Sequence, residues 1–246
     1  MPPFEILLPV GAIGLYLFDS VQWLYWNELL FLYPAGRWRH AQSSGLLLAG
    51  RRPYCPNPLL PGVAQFKVGW SESDTRSDQE QREELARFLQ ALGPIRVAVN
   101  VLLLLLLVLP VELYLFGTGI ALLALMAAFY AVILVALGVI FTRRRVLGLT
   151  GGAFAAVAFD ALACSPFAVN LVRKLCLRRS LAGNPVSFAA EFFDPAEFAA
   201  LLGTISVRVG EEQLREYGQT PRWLELERYR AELAALQRSA GSRINP

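Results

Sequence analysis

Apolar and polar positions fall into blocks along this chain. The two longest apolar blocks, residues 95–116 and 119–141, contain few interruptions. Each has about the twenty residues that an α-helix needs to cross a hydrocarbon layer of roughly 30 Å. Only Gly117-Thr118 separates them, and a link that short predicts an antiparallel helical hairpin. Residues 1–26 form a first transmembrane segment, with an apolar centre at 6–18 followed by Asp19, Gln22, Trp23, Tyr25 and Trp26. It spans if its last turn lies at headgroup depth, where Trp and Tyr rings meet both apolar matter and water.

The pattern then changes. In residues 27–70, short apolar runs at 29–33, 46–49 and 63–70 are broken by Pro34-Ala35-Gly36, Ser43-Ser44-Gly45 and Pro56-Asn57-Pro58. Such punctuation predicts a small β-rich module, and Phe66, Val68 and Trp70 alternate with Gln65, Lys67 and Gly69 at the strand period. Residues 71–94 read as a linker and an amphipathic helix. A capping box at Ser77-Asp78-Gln79-Glu80 opens it, Leu85, Phe88, Leu89 and Leu92 form its apolar face, and Gly93-Pro94 is expected to end it.

Residues 143–179 are the ambiguous segment. The stretch 147–172 is long enough to cross, but it is built from Ala and Gly and carries Asp160 near its middle. A central aspartate costs about 2.5–3.5 kcal/mol on insertion scales, and alanine returns almost nothing. A re-entrant or interfacial helix is therefore expected over a fourth span. Positions 154, 157, 161, 164, 168, 171 and 175 give it one narrow face suited to close packing. Residues 180–246 are soluble in character, with helix starts at Asp194-Pro195-Ala196-Glu197 and Thr220-Pro221. The second of these helices places Leu226, Tyr229, Leu233 and Leu236 on one face.

Charge orients the segments. The 246 residues carry a net charge of +3, which hides a segregation: residues 1–26 and 97–142 hold no Lys or Arg, while the stretches following them hold all 23. The positive-inside rule then places those stretches in the cytoplasm, with three spans and the N-terminus outside. The opening Met-Pro-Pro-Phe-Glu lacks a cationic start, so the first apolar stretch is expected to stay attached. The sequence thus predicts a mainly α, polytopic helical membrane protein of a bacterial inner membrane. It has three spans, a re-entrant or interfacial helix, a small cytoplasmic β-rich insertion and a cytoplasmic helical C-terminus.

Candidate chemistry is sparse. Cys55, Cys164 and Cys176 share no CxxC spacing and His40 is the sole histidine, so neither a metal site nor a disulfide framework is expected. His40 itself reads as a surface or capping residue. The run Gly148-Leu149-Thr150-Gly151-Gly152 lacks the Lys-Ser/Thr of a phosphate loop, and no cofactor signature appears. Ser165 and Ser187 lack a paired base motif.

Three acids, Asp19, Glu112 and Asp160, lie in or near the apolar layer, where ionisable groups point first to function. Asp160 is the weak candidate for catalysis, and Arg173 or Lys174 reaches it only if Pro166 bends the chain back. The clusters Arg143, Arg144, Arg145 and Arg173, Lys174, Arg178, Arg179 fit anionic lipid headgroups or serve as topology signals. The expected partners are membrane lipids and other membrane subunits or a second copy; nucleic acid is not expected, since no reading helix is present. By elimination the role is a non-catalytic accessory or scaffolding subunit. An oligomeric transporter or channel component and a lipid-modifying enzyme are the alternatives.

Overall fold

The computed structural model describes residues 3–42, 45–70, 80–179, 181, 184–216, 218 and 220–244. In chain order the elements begin with α1 (Pro3–Ser20), β1 (Gln22–Leu24), β2 (Glu28–Tyr33), β3 (Arg39–His40), β4 (Arg52–Tyr54) and β5 (Ala64–Gly69). Then come α2 (Glu80–Ala91), α3 (Gly93–Phe116), α4 (Ile120–Thr142), α5 (Gly151–Ala163), a 3-10 helix (Ser165–Asn170) and α6 (Leu171–Arg178). The last three are α7 (Pro185–Phe192), α8 (Pro195–Gln213) and α9 (Pro221–Ile244). The protein is mainly helical with a small β part, and α3 and α4 are long and apolar enough to cross a membrane.

The chain divides into two compact units, and the division is not linear. The helical unit comprises Met1–Val21, Cys55–Ala64 and Glu80–Arg179. Segment 55–64, whose prolines suggest a place with the strands, packs here, so that a side chain on Gly62 would meet Arg96 and Asn100 of α3. The mixed unit comprises Gln22–Tyr54, Gln65–Gln79 and Ser180–Pro246.

In the helical unit, Leu113 O accepts the Gly117 amide at 3.2 Å, and Gly117 turns the chain at φ 68, a conformation glycine adopts without a Cβ clash. α3 buries Val99, Leu102, Leu106, Leu109 and Leu113, a stripe at three- and four-residue spacing, and packs on α4. Two expectations are corrected. The first helix stops at Ser20, and residues 22–24, expected as its last turn, form β1 instead. Gly93-Pro94 does not end a helix. Leu92 alone separates α2 from α3 and stays right-handed at φ −71, with Arg96 N–H donating to Leu92 O at 2.9 Å. Proline in a first helical turn gives up no bond, because that amide has no partner within the helix, so the dipeptide restarts α3 directly. The cap expected at Ser77 lies outside the described residues.

The ambiguous segment is a helical hairpin. α5 rises antiparallel to α4: Phe154 contacts Phe141 at 5.3 Å between ring centroids, and Tyr130 Oη donates to Leu162 O at 3.5 Å. The chain turns at Cys164-Ser165-Pro166, and α6 returns along α5, with Arg178 donating to Ala153 O at 3.3 Å. The 13 residues of α5 extend about 20 Å, short of the roughly 30 Å of a hydrocarbon layer. Val157, Ala161, Ala168, Leu171 and Leu175 of the expected packing face are buried.

In the mixed unit, β1 pairs antiparallel with β4, and a three-stranded sheet runs β3-β2-β5. Residues 46–49, expected as a strand, instead supply half of a two-residue turn: Leu48 and Arg51 exchange backbone bonds of 2.8 and 2.9 Å around Ala49 (φ 48) and Gly50 (φ 76). Trp38 is the centre of an aromatic core, with Tyr33, Phe188 and Phe66 at centroid distances of 4.8, 5.0 and 5.6 Å. α8 and α9 begin where the proline starts predict and pack together. Leu201, Leu202, Ile205 and Val209 of α8 and Leu226, Tyr229 and Leu233 of α9 are buried, while Leu236 is exposed.

Candidate functional site

The helical unit gathers Asp19, Asp160, Arg173 and Lys174 at one place. Tyr16 and Asp19, three residues apart on α1, occupy one face of its last turns. Against that face lies the 3-10 helix, whose Asn170 donates through Nδ2 to Asp19 Oδ2 at 3.0 Å and to Tyr16 O at 3.1 Å. Asn170 Oδ1 in turn accepts from Arg173 at 2.7 Å. Arg173, only 1% exposed, also donates to Asn57 O at 2.8 Å, and Tyr16 Oη donates to Pro58 O. Lys174 completes the group: its Nζ is 3.2 Å from Asp19 Oδ1, 3.6 Å from Asp160 Oδ2 and 4.6 Å from the Phe167 ring.

Lys174 thus bridges Asp19 and Asp160, while Arg173 reaches the same group through Asn170. Four stretches of chain, α1, segment 55–64, α5 and the 3-10 helix with α6, are tied by bonds that no one of them could make alone. Turning the chain at Pro166 is what returns Lys174 to Asp160, as the sequence required for that pairing. Tyr16 and Asn57 carried no sequence signal; Asn170 did, but only as a polar break in an apolar stretch.

The other predicted site residues lie elsewhere. Glu112 is buried in α3, 8% exposed, and neither carboxylate oxygen has a hydrogen-bond partner among the described residues. Arg143 donates to Ala91 O at 3.4 Å, Arg144 covers the Phe141 ring at 4.7 Å, and Arg179 pairs with Glu84 at 3.4 Å. Arg143, Arg145 and Arg178 are exposed, whereas Arg144 and Arg179 are half-buried. Arg173 and Lys174 face inward, because burial obliges a charged group to find internal partners, so their bonds leave little to offer a lipid phosphate. No cluster of metal-ligating side chains occurs among the described residues.

No family model, curated protein or solved structure matches this chain.

The mixed unit holds a second polar group, at a cleft of about 490 Å³ lined in part by Arg39, His40, Tyr54 and Glu197. Contrary to the surface reading of its sequence, His40 is buried: Nδ1–H donates to Glu197 Oε2 at 3.2 Å, and Nε2 lies 3.3 Å from Thr204 Oγ1. The partners are more than 150 positions away in the chain, beyond any local pattern. Burial pushes the imidazole below its ordinary value near 6.5; Glu197 pulls it back up, and Arg208 adds to the downward push. Arg208 is itself lowered, to about 10, chiefly by burial.

Because folded His40 binds a proton less readily than unfolded His40, its contribution to stability is complete above about pH 6.5 and is lost as pH falls below that value. Thermal melting of the wild type and His40→Gln from pH 8 to pH 5 is expected to show their stability difference shift against the wild type on acidification. A difference independent of pH would contradict this assignment.

Proposed function

We propose that this chain is a multi-pass protein of a bacterial cytoplasmic membrane, acting as a non-catalytic accessory or scaffolding subunit. α1, α3 and α4 cross the bilayer with the N-terminus outside, the α5–α6 hairpin enters and leaves on the cytoplasmic side, and the mixed unit lies in the cytoplasm. The apolar windows of α3 and α4 are only 39% and 22% buried, whereas the core helix of a water-soluble domain hides most of such a surface. The shortness of α5 and the antiparallel return of α6 support the re-entrant reading, which keeps Arg178 and Arg179 on the same side as Arg143.

The mutual pairing of the polar cluster is the observation that carries the scaffolding role. A general acid or base must present its proton to a substrate, and a conduction path needs polar groups free to exchange partners. Asp19 and Asp160 instead share Lys174, and Arg173 is bound to Asn170 and a carbonyl of segment 55–64, which suits a frame that fixes helices. The exposed Leu46, Leu47 and Leu48 offer an apolar surface for a cytoplasmic partner.

One experiment tests location and role together. In a cysteine-free background, Thr118→Cys is expected to react with an impermeant thiol reagent in intact cells and Leu214→Cys only after lysis; the reverse pattern refutes the topology. In the same cells, Asp160→Asn is expected to leave co-purifying subunits, lipid composition and solute uptake unchanged. Abolished uptake would favour the transporter reading, and an altered lipid profile the enzyme.

A further inference from the structure

The cleft of about 490 Å³ in the mixed unit holds two opposite charges whose bonding capacity is largely unspent. Arg39 of β3 and Glu197 in the first turn of α8 both line it, with 56% and 31% of their side chains exposed, so a solute can reach either. Their own approach is loose. Arg39 Nε stands 3.9 Å from Glu197 Oε1, beyond hydrogen-bond range, and Glu197 is the one partner of that guanidinium among the described residues. An exposed pair at such a distance holds its members weakly, so a ligand that bonds both loses little by intervening.

The other half of the Glu197 carboxylate is already placed. Its Oε2 accepts His40 Nδ1–H at 3.2 Å, and the imidazole is steadied from its far side by Thr204 Oγ1, 3.3 Å from Nε2. His40 thus fixes the carboxylate and leaves Oε1 to accept from a ligand, while the Arg39 fork keeps its donors for one. Beside the two charges the wall is apolar, at Leu32, Ala41, Ala196 and Ala200. Leu32 is the register partner of Arg39 across the β2–β3 pair, so the two side chains stand next to each other on one face.

We propose that this cleft binds a free α-amino acid with an apolar side chain. The ligand's carboxylate takes a forked pair of bonds from Arg39, its ammonium donates to Glu197 Oε1, and its side chain lies toward Leu32 and Ala200. An α-amino acid carries both charges on one tetrahedral carbon, its nitrogen and carboxyl carbon about 2.5 Å apart, which suits receptor groups 3.9 Å apart. A simple anion satisfies Arg39 but meets Glu197 as a like charge, and a simple amine meets the opposite conflict. The site lies wholly within the mixed unit, adds ligand binding to the scaffolding role, and stands whether or not α3 and α4 cross a bilayer.

The full chain, purified in mild detergent, is titrated at neutral pH with L-alanine, L-valine and L-leucine by isothermal calorimetry, then with the N-acetyl and amide derivatives of the tightest binder. One site per chain is expected, with a Kd at or below about 1 mM. Each derivative has lost one of the two charges and is expected to bind about tenfold more weakly. Arg39→Gln, at an exposed position, is expected to weaken the free amino acid about tenfold and to bind it no better than the amide. Ala200→Leu narrows the cleft without removing either charge and is expected to abolish binding. No binding of any of the three amino acids by the wild type overturns the proposal. So does equal affinity for the N-acetyl derivative, which marks a plain anion site, or for the amide, which marks a plain cation site. Undiminished binding by either variant overturns it as well.

Discussion

Arg173→Leu is expected to destabilise the helical unit by about 3–5 kcal/mol, since it removes two short hydrogen bonds from a buried charged donor, each worth about 1.5–3 kcal/mol. The guanidinium is 1% exposed and donates to Asn170 Oδ1 at 2.7 Å and to Asn57 O at 2.8 Å. Leucine occupies part of the space and bonds to neither, so the buried Asn170 Oδ1 loses its donor, while Asn57 O keeps the Leu60 amide at 3.2 Å. It also frees the Asn170 side chain, which Arg173 holds in place toward Asp19. Arg173→Lys should recover little, since one ammonium on a shorter stem cannot reproduce a planar fork aimed at two acceptors. Heating detergent-solubilised samples and following the monodisperse fraction by size exclusion gives the measurement. A midpoint unchanged from the wild type would show that the network does not hold these segments together.

Trp38→Ala is expected to cost the mixed unit a similar amount, about 3–5 kcal/mol, by leaving a cavity in its aromatic core. The indole touches Tyr33, Phe66 and Phe188 at centroid distances of 4.8, 5.6 and 5.0 Å, and its backbone forms a bridge with Phe193. Its neighbours come from strands and from α7, so they cannot all move inward to refill the space. Trp38→Phe should retain most of the stability, because a smaller ring keeps the edge-to-face contact with Phe188. Limited trypsin digestion reports the outcome, with the arginines of the mixed unit cut faster in Trp38→Ala. Equal digestion rates would mean that the cluster relaxes around the missing ring.

Much of the local architecture is legible in the sequence. The apolar blocks at 95–116 and 119–141 agree with α3 and α4 to within two residues, and Pro195 and Pro221 each open a helix. The Thr220 hydroxyl accepts the Trp223 amide at 3.1 Å, a cap written in adjacent residues. Strands β2 and β5 match, to within one residue at each end, runs whose composition predicted them. Misread positions are those where one residue type serves two purposes. Gly93-Pro94 carries a stop signal and a start signal at once. The run at Leu46 has strand composition, yet a backbone with φ 48 and 76 at Ala49 and Gly50 reverses there.

Hydrophobic blocks, proline starts and the placement of arginines act over a few residues or one helix length, and the sequence alone determined them. The spacing of side chains along a helix is fixed by the backbone whatever surrounds it. Tertiary structure alone decided which polar groups meet: Asn170 with Asp19 across 151 positions, Glu197 with His40 across 157, and Arg173 with a carbonyl of segment 55–64. A buried polar group takes whichever partner the packed helices and strands bring within about 3 Å, and that choice belongs to the assembled core.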